Sequence, residues 1–310
     1  MLESFFGRRE VLRRLYSRIC ADRPQSVAII GGKGIGKTAF LQYAAADPVQ
    51  VSNHKTTKLF FDCIAAQTPD GFLARMGTEL GFGDRSGQYE PYRNSLERFL
   101  ADGTRVIFFL DNFHAVTGSS VFPLEFFSFL RSLANNLDIA YVTSSLLDMQ
   151  ELCAMKIVEE SPFFNIFTNI TLSPLKQEEA ALLMARLTGL AAEDLQSISR
   201  WSGGIPLLVD GIAKQIADSG LVDPKQYGTE YEKITIEYYS AVVERLPENA
   251  LDVLLRIGRR KSIHQKQKHL IRQLIKQGFV AETNKKILPF SPSFEGFLRY
   301  NLNKKMLGGA

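Results

Sequence analysis

Gly31-Gly32-Lys33-Gly34-Ile35-Gly36-Lys37-Thr38 fits G-x-x-x-x-G-K-[ST] at every position. Ser26-Val27-Ala28-Ile29-Ile30 precedes it, a short apolar run that reads as a buried strand, and Ala39 to Ala46 follows as a strong helix former. Strand, loop, helix is the order this motif requires. Its glycines let successive backbone N–H groups turn toward phosphate oxygens, and a helix starting at Gly36 or Lys37 points its positive end at the same place. Lys37 then reaches the β- and γ-phosphates of a nucleotide such as ATP or ADP, and the Thr38 hydroxyl sits on Mg²⁺. Gly31, Gly32, Lys33, Gly34, Ile35, Gly36, Lys37, Thr38 and Ala39 form the candidate phosphate-binding set. The bland alternative, a Gly-rich turn, is disfavoured because four of the eight residues are glycine and both flanks are correct.

Arg105-Val106-Ile107-Phe108-Phe109-Leu110-Asp111-Asn112 is the second informative stretch. Five apolar residues ending in an aspartate suit a strand buried on both faces, whose carboxyl end lies beside the phosphate loop and offers an acid to the Mg²⁺ shell. Asp111 takes that role, with Thr38 as the other metal-side oxygen. Lys58-Leu59-Phe60-Phe61-Asp62 also ends in an aspartate, but it follows the loop helix too soon, so Asp62 reads as a strand-end residue only. Asp138 to Ser145 predicts a fourth strand ending in hydroxyls, and Ser161 to Leu172 approaches a fifth. Helices are predicted over 8–21, 70–80 with Asp70 as N-cap, 91–101 starting at Pro91, and 122–137. The last carries Phe122, Phe126, Phe129, Leu130, Leu133 and Leu137 as its core stripe, leaving Leu124 and Phe127 off it.

These motifs come with an ordered set of weaker ones. Phe6-Gly7-Arg8 lies some twenty residues ahead of the first strand, Thr143 and Ser144 end the fourth, and Gly204-Ile205-Pro206 follows Trp201-Ser202-Gly203. The series resembles the AAA+ initiator-type ATPases and the STAND class, the signal-transduction ATPases with numerous domains, over residues 5 to about 220. The resemblance implies an α/β fold, a P-loop NTPase parallel sheet with helices on both faces, followed by a helical lid and a winged-helix domain. It also implies that Phe6, Gly7 and Arg8 pack over the adenine, that Thr143 or Ser144 senses the γ-phosphate, and that Gly204 and Pro206 close over the base or ribose. Lys37, Asp111, Asn112 and Thr143 are the catalytic candidates. The chain departs from the family twice. Where most members have an acid after the aspartate, it has Asn112, which can hold a water but cannot take its proton. Where STAND proteins commonly carry an arginine, it has Ser145, which removes a cation from the transition state. Slow turnover is the expectation.

The chain has 310 residues, and a prior of about 150 residues per domain suggests two or three domains. The division read from the sequence is 1–172 nucleotide-binding domain, 173–222 helical lid, 223–236 linker and 237–310 winged helix. In the lid, Glu178 and Glu179 start a helix with Leu182, Leu183 and Leu187 expected inside. The N-terminus MLESFFGRRE lacks the apolar core of a secretory signal, and no apolar run approaches 18 residues, so no membrane partner is expected. Three widely spaced cysteines, Cys20, Cys63 and Cys153, suit reduced thiols in a cytoplasmic protein.

Net charge is +4 but unevenly placed: residues 237–310 hold fourteen Lys or Arg against six Asp or Glu, a net of +8, while the first 236 hold 23 against 27. In 264–277, Leu270, Ile271, Leu274 and Ile275 share one side, and Lys268, His269, Arg272 and Lys276 the other. Lys285 and Lys286 tip a predicted hairpin. A winged helix would bring Lys268, Arg272, Lys276, Lys285 and Lys286 to nucleic-acid phosphates, although a charged helix face is commonly just solvated. Three functions fit: an ATP-dependent switch with a protein partner or effector on a separate chain, of the kind used in signalling, defence or mobile-element control; an ATP-dependent DNA-binding initiator or transposition regulator; or a subunit that holds ATP without turnover. A nucleotide-dependent oligomer is compatible with each.

Overall fold

Three apolar runs, β1 (Ser26–Ile30), β3 (Arg105–Asp111) and β4 (Ile139–Ser145), are buried along their entire length. With β2 (Thr56–Asp62) and β5 (Phe167–Thr171) they form a five-stranded sheet in the order β2-β3-β4-β1-β5. Every pairing in it is parallel. A parallel strand covered on both faces has no polar side to alternate, which is why these runs read as continuous hydrophobics. The computed structural model describes residues 7–47, 55–83, 87–146, 162–219, 228–244, 246–283 and 286–301. The chain divides into two compact units, Met1–Gly31 with Lys37–Leu172, and Gly32–Gly36 with Ser173–Ala310.

Among the described residues of the first unit the helices are α1 (Arg9–Ile19), α2 (Lys37–Ala46), α3 (Pro69–Glu79), α4 (Tyr89–Leu100), the single turn α5 (His114–Thr117) and α6 (Leu124–Asn136). Two expected caps shift. Thr68, not Asp70, caps α3 by accepting from the Gly71 N–H at 3.1 Å, because Pro69 fits the first helical position, where no N–H is needed. Gln88 precedes α4, so Pro91 falls inside its first turn, again without loss of a helical bond. The core is unusually aromatic: Phe72 meets Phe61, Phe122 and Phe126 edge-on at 5.1 to 6.5 Å between ring centroids. Phe127, off the predicted stripe, is nonetheless 1% exposed, because Phe163 and Phe164 cover it at 5.8 and 5.9 Å. Leu124 does stay exposed.

The second unit contains α7 (Gln177–Thr188), α8 (Ala192–Ser199), α9 (Pro206–Ser219), α10 (Gly228–Val243), α11 (Glu248–Gly258) and α12 (Lys268–Lys276). An antiparallel hairpin, β6 (Val280–Thr283) and β7 (Lys286–Pro289), and the short α13 (Pro292–Gly296) follow. Helix α7 rotates relative to expectation. Ala180, Ala181 and Met184 are buried, while Leu182 and Leu187 are exposed, since the small alanines let α8 and α9 approach closely through Leu195, Ile198, Val209 and Ile212. In α12 Leu270 and Leu274 are buried as predicted, whereas Ile275 is exposed. Tyr239 of α10 joins these parts. Its ring packs on Phe290, Phe294 and Phe297, and its hydroxyl meets Ser291 and Ser293, the latter donating to the Trp201 carbonyl.

Arg105 shows how the first unit fastens its N-terminal helix. It is fully buried, and its guanidinium donates to the carbonyls of Ala21 and Asp22, at 2.9 and 2.6 Å, in the loop after α1. Arg105→Ala removes both charge-assisted bonds and the packed stem, and a loss of about 2–4 kcal/mol is expected in urea unfolding. A midpoint unchanged from the parent would show that the loop is held by other means.

Candidate nucleotide-binding site

Gly31 leaves β1 with its N–H bonded to the Ser145 carbonyl at 3.3 Å, so the loop starts from a point fixed by the sheet. It then turns through two left-handed glycines, Gly34 at φ 72° and Gly36 at φ 89°, conformations that an L side chain resists. Among the described residues the N–H groups of Lys33, Gly34 and Gly36 have no hydrogen-bond partner. Unpaired N–H groups beside the start of α2 at Lys37 are what an anion of phosphate type requires.

The lysine and the oxygens are in place. Lys37 Nζ donates to the Gly31 carbonyl at 2.8 Å. Burial lowers its pKa to about 8, with the Asp111 carboxylate pulling the other way, so it stays largely protonated at neutral pH. Thr38 Oγ1 donates to Asp111 Oδ2 at 2.7 Å. A hydroxyl and a carboxylate oxygen converging at the end of a buried strand are the hard donors Mg²⁺ prefers, so Thr38 and Asp111 fit that ion. Ala39, next along, is exposed.

Asp111 is 1% exposed and gathers further partners. Ser144 Oγ donates to its Oδ1 and accepts the Asn112 N–H at 2.9 Å. Asn112 itself sits at φ 52°, one of three non-glycine residues in the left-handed region among the described residues. Its Nδ2 donates to Asp62 Oδ1 at 3.1 Å and lies 3.4 Å from Asp111 Oδ2. Thr143, one residue before Ser144, faces the other side of the sheet by strand alternation, and its buried Oγ1 has no partner among the described residues. Ser145 is buried as well.

The Gly204-Ile205-Pro206 segment reaches the loop through its neighbour. Gly204 has φ 72° and its carbonyl accepts from Leu175 N at 2.8 Å; a Cβ there would stand 2.0 Å from Leu175 O, so only glycine fits. Pro206 opens α9, and Leu207 N donates to the Gly34 carbonyl at 3.2 Å. Tyr238 of α10 adds a contact that no motif signals: its Oη donates to the Lys33 carbonyl at 2.6 Å. Gly7 and Arg8 both have positive φ and lead into α1, with Arg8 at its N-cap. Phe6 and Lys285 lie outside the described residues. Lys268, Arg272 and Lys286 are exposed, and Lys276 ends α12.

A five-stranded parallel sheet carrying this loop is the P-loop NTPase fold, and in fold and motif the chain resembles P-loop ATPases of the AAA+/STAND class. Two family models match it, Novel STAND NTPase 2 over residues 84–219 and Bacterial TniB protein over residues 9–151. Similar solved structures include the Walker-type ATPase PABY2304 of Pyrococcus abyssi, 14% identical with a TM-score of 0.67, covering 96% of this chain and 97% of that one. The Aeropyrum pernix ORC2 protein in ADPNP–ADP complexes is 13% identical with a TM-score of 0.62, over 96% and 93% of the two chains. The Aeropyrum pernix ORC1 protein in complex with DNA is 14% identical with a TM-score of 0.54, over 99% and 96%. No curated protein matches the sequence. Among the described residues no helix is long and apolar enough to cross a membrane.

A side chain at Gly34 would meet both Leu207 Cβ, at 2.9 Å, and the Tyr238 ring, at 3.2 Å. Gly34→Ala should therefore cost about 1–2 kcal/mol from the left-handed backbone alone, with the crowding added to it. Chemical denaturation without nucleotide is the check, and an unchanged midpoint would mean that the loop relaxes freely.

Proposed function

We propose that the protein is an ATP-operated switch with slow turnover. Bound Mg-ATP holds the helices after residue 172 and the C-terminal segment in one arrangement, and hydrolysis or exchange releases another. The observation that carries this reading is the grip on the loop's own carbonyls: Tyr238 on Lys33 and Leu207 on Gly34. Phosphate drawn onto the Gly34 N–H, the far side of the peptide whose Lys33 carbonyl Tyr238 holds, changes how that carbonyl is presented, so ligand and helices bias one bistable element. In this scheme Lys37 binds the β- and γ-phosphates, Thr38 and Asp111 hold Mg²⁺, which neutralises the developing charge, and Asn112 keeps a water near the γ-phosphate. Ser144, tied to Asp111, is better placed than Thr143 to report on the γ-phosphate. Gly7, Arg8, Gly204 and Pro206 are assigned to the base and ribose by resemblance. The domains are 1–172 nucleotide-binding, 173–222 lid, 223–236 linker and 237–310 winged helix, in a cytoplasmic protein whose partner or effector is a separate chain. The nucleotide complexes of the ORC2 protein support the ligand class.

Lys37→Ala should weaken ATP binding about ten- to a hundredfold, as loss of a charge-assisted bond of about 1.5–3 kcal/mol implies. Calorimetric titration measures it, and co-purification in ATP against ADP measures partner engagement. A Lys37→Ala protein that engages its partner as the parent does would sink the switch reading.

The second reading, an ATP-dependent DNA-binding factor, is favoured by the exposed Lys268 and Arg272 on α12 and by the DNA complex of the ORC1 protein. Several phosphate contacts predict that affinity falls by about 10³ to 10⁵ between roughly 50 and 200 mM salt. Fluorescence anisotropy with a labelled duplex is the measurement, and a flat salt dependence rejects this reading.

A further inference from the structure

The sequence leaves the site without an acid beside Asp111, since Asn112 stands where one is expected. The fold supplies one from the neighbouring strand. Asp62 ends β2, and its Cα is the register partner of Asp111 on β3. Its Oδ1 accepts twice, from Asn112 Nδ2 and from the N–H of Ile64, each at 3.1 Å, the second bond capping the 3₁₀ turn Cys63–Ala65. No hydrogen bond among the described residues ends on Oδ2. Asn112 Nδ2 has acceptors on two sides, Asp62 Oδ1 and Asp111 Oδ2, so the amide is fixed with its nitrogen toward them and its oxygen turned away. A left-handed backbone at φ 52° and the bond from Asn112 N to Ser144 hold that amide in place.

We propose that Asp62 is the water-orienting carboxylate of this site, acting together with Asn112 in place of an acid at position 112. The inference rests on the ATPase reading above and deepens it. In this scheme a water donating one hydrogen to Asp62 Oδ2 and the other to Asn112 Oδ1 would be held for attack on the γ-phosphorus. Its oxygen bonds to that phosphorus while the bond to the β–γ bridging oxygen breaks, the leaving ADP keeps the electron pair, and the proton shared with Asp62 ends on inorganic phosphate. Phosphoryl transfer depends mainly on positioning and electrostatics, so a carboxylate on the adjacent strand serves if it fixes the water. Structure alone gives Asp62 a second job, the cap of Cys63–Ala65, and the test has to separate the two.

Asp62→Asn keeps an oxygen to cap the turn but loses the charge. The double variant Asp62→Asn with Asn112→Asp exchanges amide and acid across the same pair. The full-length proteins are compared by calorimetric titration with ATP and ADP in Mg²⁺, by single-turnover hydrolysis of γ-labelled ATP, and by chromatography of the nucleotide left bound. Asp62→Asn is expected to bind ATP within about twofold of the parent, to hydrolyse it about 10² to 10⁴ times more slowly, and to retain ATP where the parent retains ADP. The double variant is expected to recover at least about tenfold of that loss. Parent-like hydrolysis by Asp62→Asn, or loss of its ATP binding along with turnover, would reduce Asp62 to a cap and overturn the proposal while leaving the nucleotide-binding reading intact. A parent protein that binds ATP and never hydrolyses it overturns this proposal and the slow turnover of the reading above, leaving nucleotide binding intact; one that binds no ATP overturns both readings entirely.

Discussion

A carboxylate buried at the end of a parallel strand has to be paired, because an unpartnered charge out of water costs several kcal/mol. Asp111 is that group, and much of the polar architecture around it answers its requirement. Thr38 comes from α2, Ser144 from β4, and Asn112 from the turn that follows β3. The strand order makes this possible: β4 lies between β1 and β3, so a hydroxyl at its end falls beside the acid while its Ser145 carbonyl fixes the start of the phosphate loop. One buried carboxylate thus draws in side chains from three places in the chain, and Lys37 shares the same surroundings, its pKa drawn down to about 8 by burial.

The P-loop and the strand ending in Asp111 were legible because their signals are local: a fixed spacing of glycines, and apolar runs with no alternation. Asp62 was not, since its own strand offers nothing to distinguish it from any strand end. Only the pairing of Asp62 with Asp111 places it at the site, and register between strands separated by more than forty residues leaves no trace in a single sequence. Tyr238 and Leu207 escaped for the same reason, being contacts made by distant helices on the loop's backbone, where no side chain of the loop is involved. The misjudged faces have another cause. Helical periodicity marks an apolar side but not what covers it, so Phe127 is hidden by Phe163 and Phe164, while Leu182 and Leu187 are left outside by a face of alanines.

Within the second unit, small residues and one tyrosine do the joining. Gly203 lets Phe290 and Ser291 come closer than any side chain would permit, and Gly258 does the same for Leu298. Tyr239 then links α10 to the segment around Ser291 and Ser293, and through Ser293 to Trp201. A buried network of hydroxyls that is fully satisfied specifies one packing, and a partly satisfied one is costly. In the proposed switch, the helices after residue 172 and the C-terminal segment are therefore expected to respond as a piece.

The left-handed turn at Asn112 also bears on which sequences can arise there. Asparagine and aspartate tolerate this backbone through local hydrogen bonds, and glycine does so freely, whereas a longer side chain costs about 1–2 kcal/mol before any contact is counted. The peptide geometry biases variation at this position: the short acid fits the turn through its local hydrogen bonds, whereas glutamate fits it at that cost. A lineage carrying this turn can lose or regain a carboxylate at the position in a single conservative step, with the backbone left as it stands.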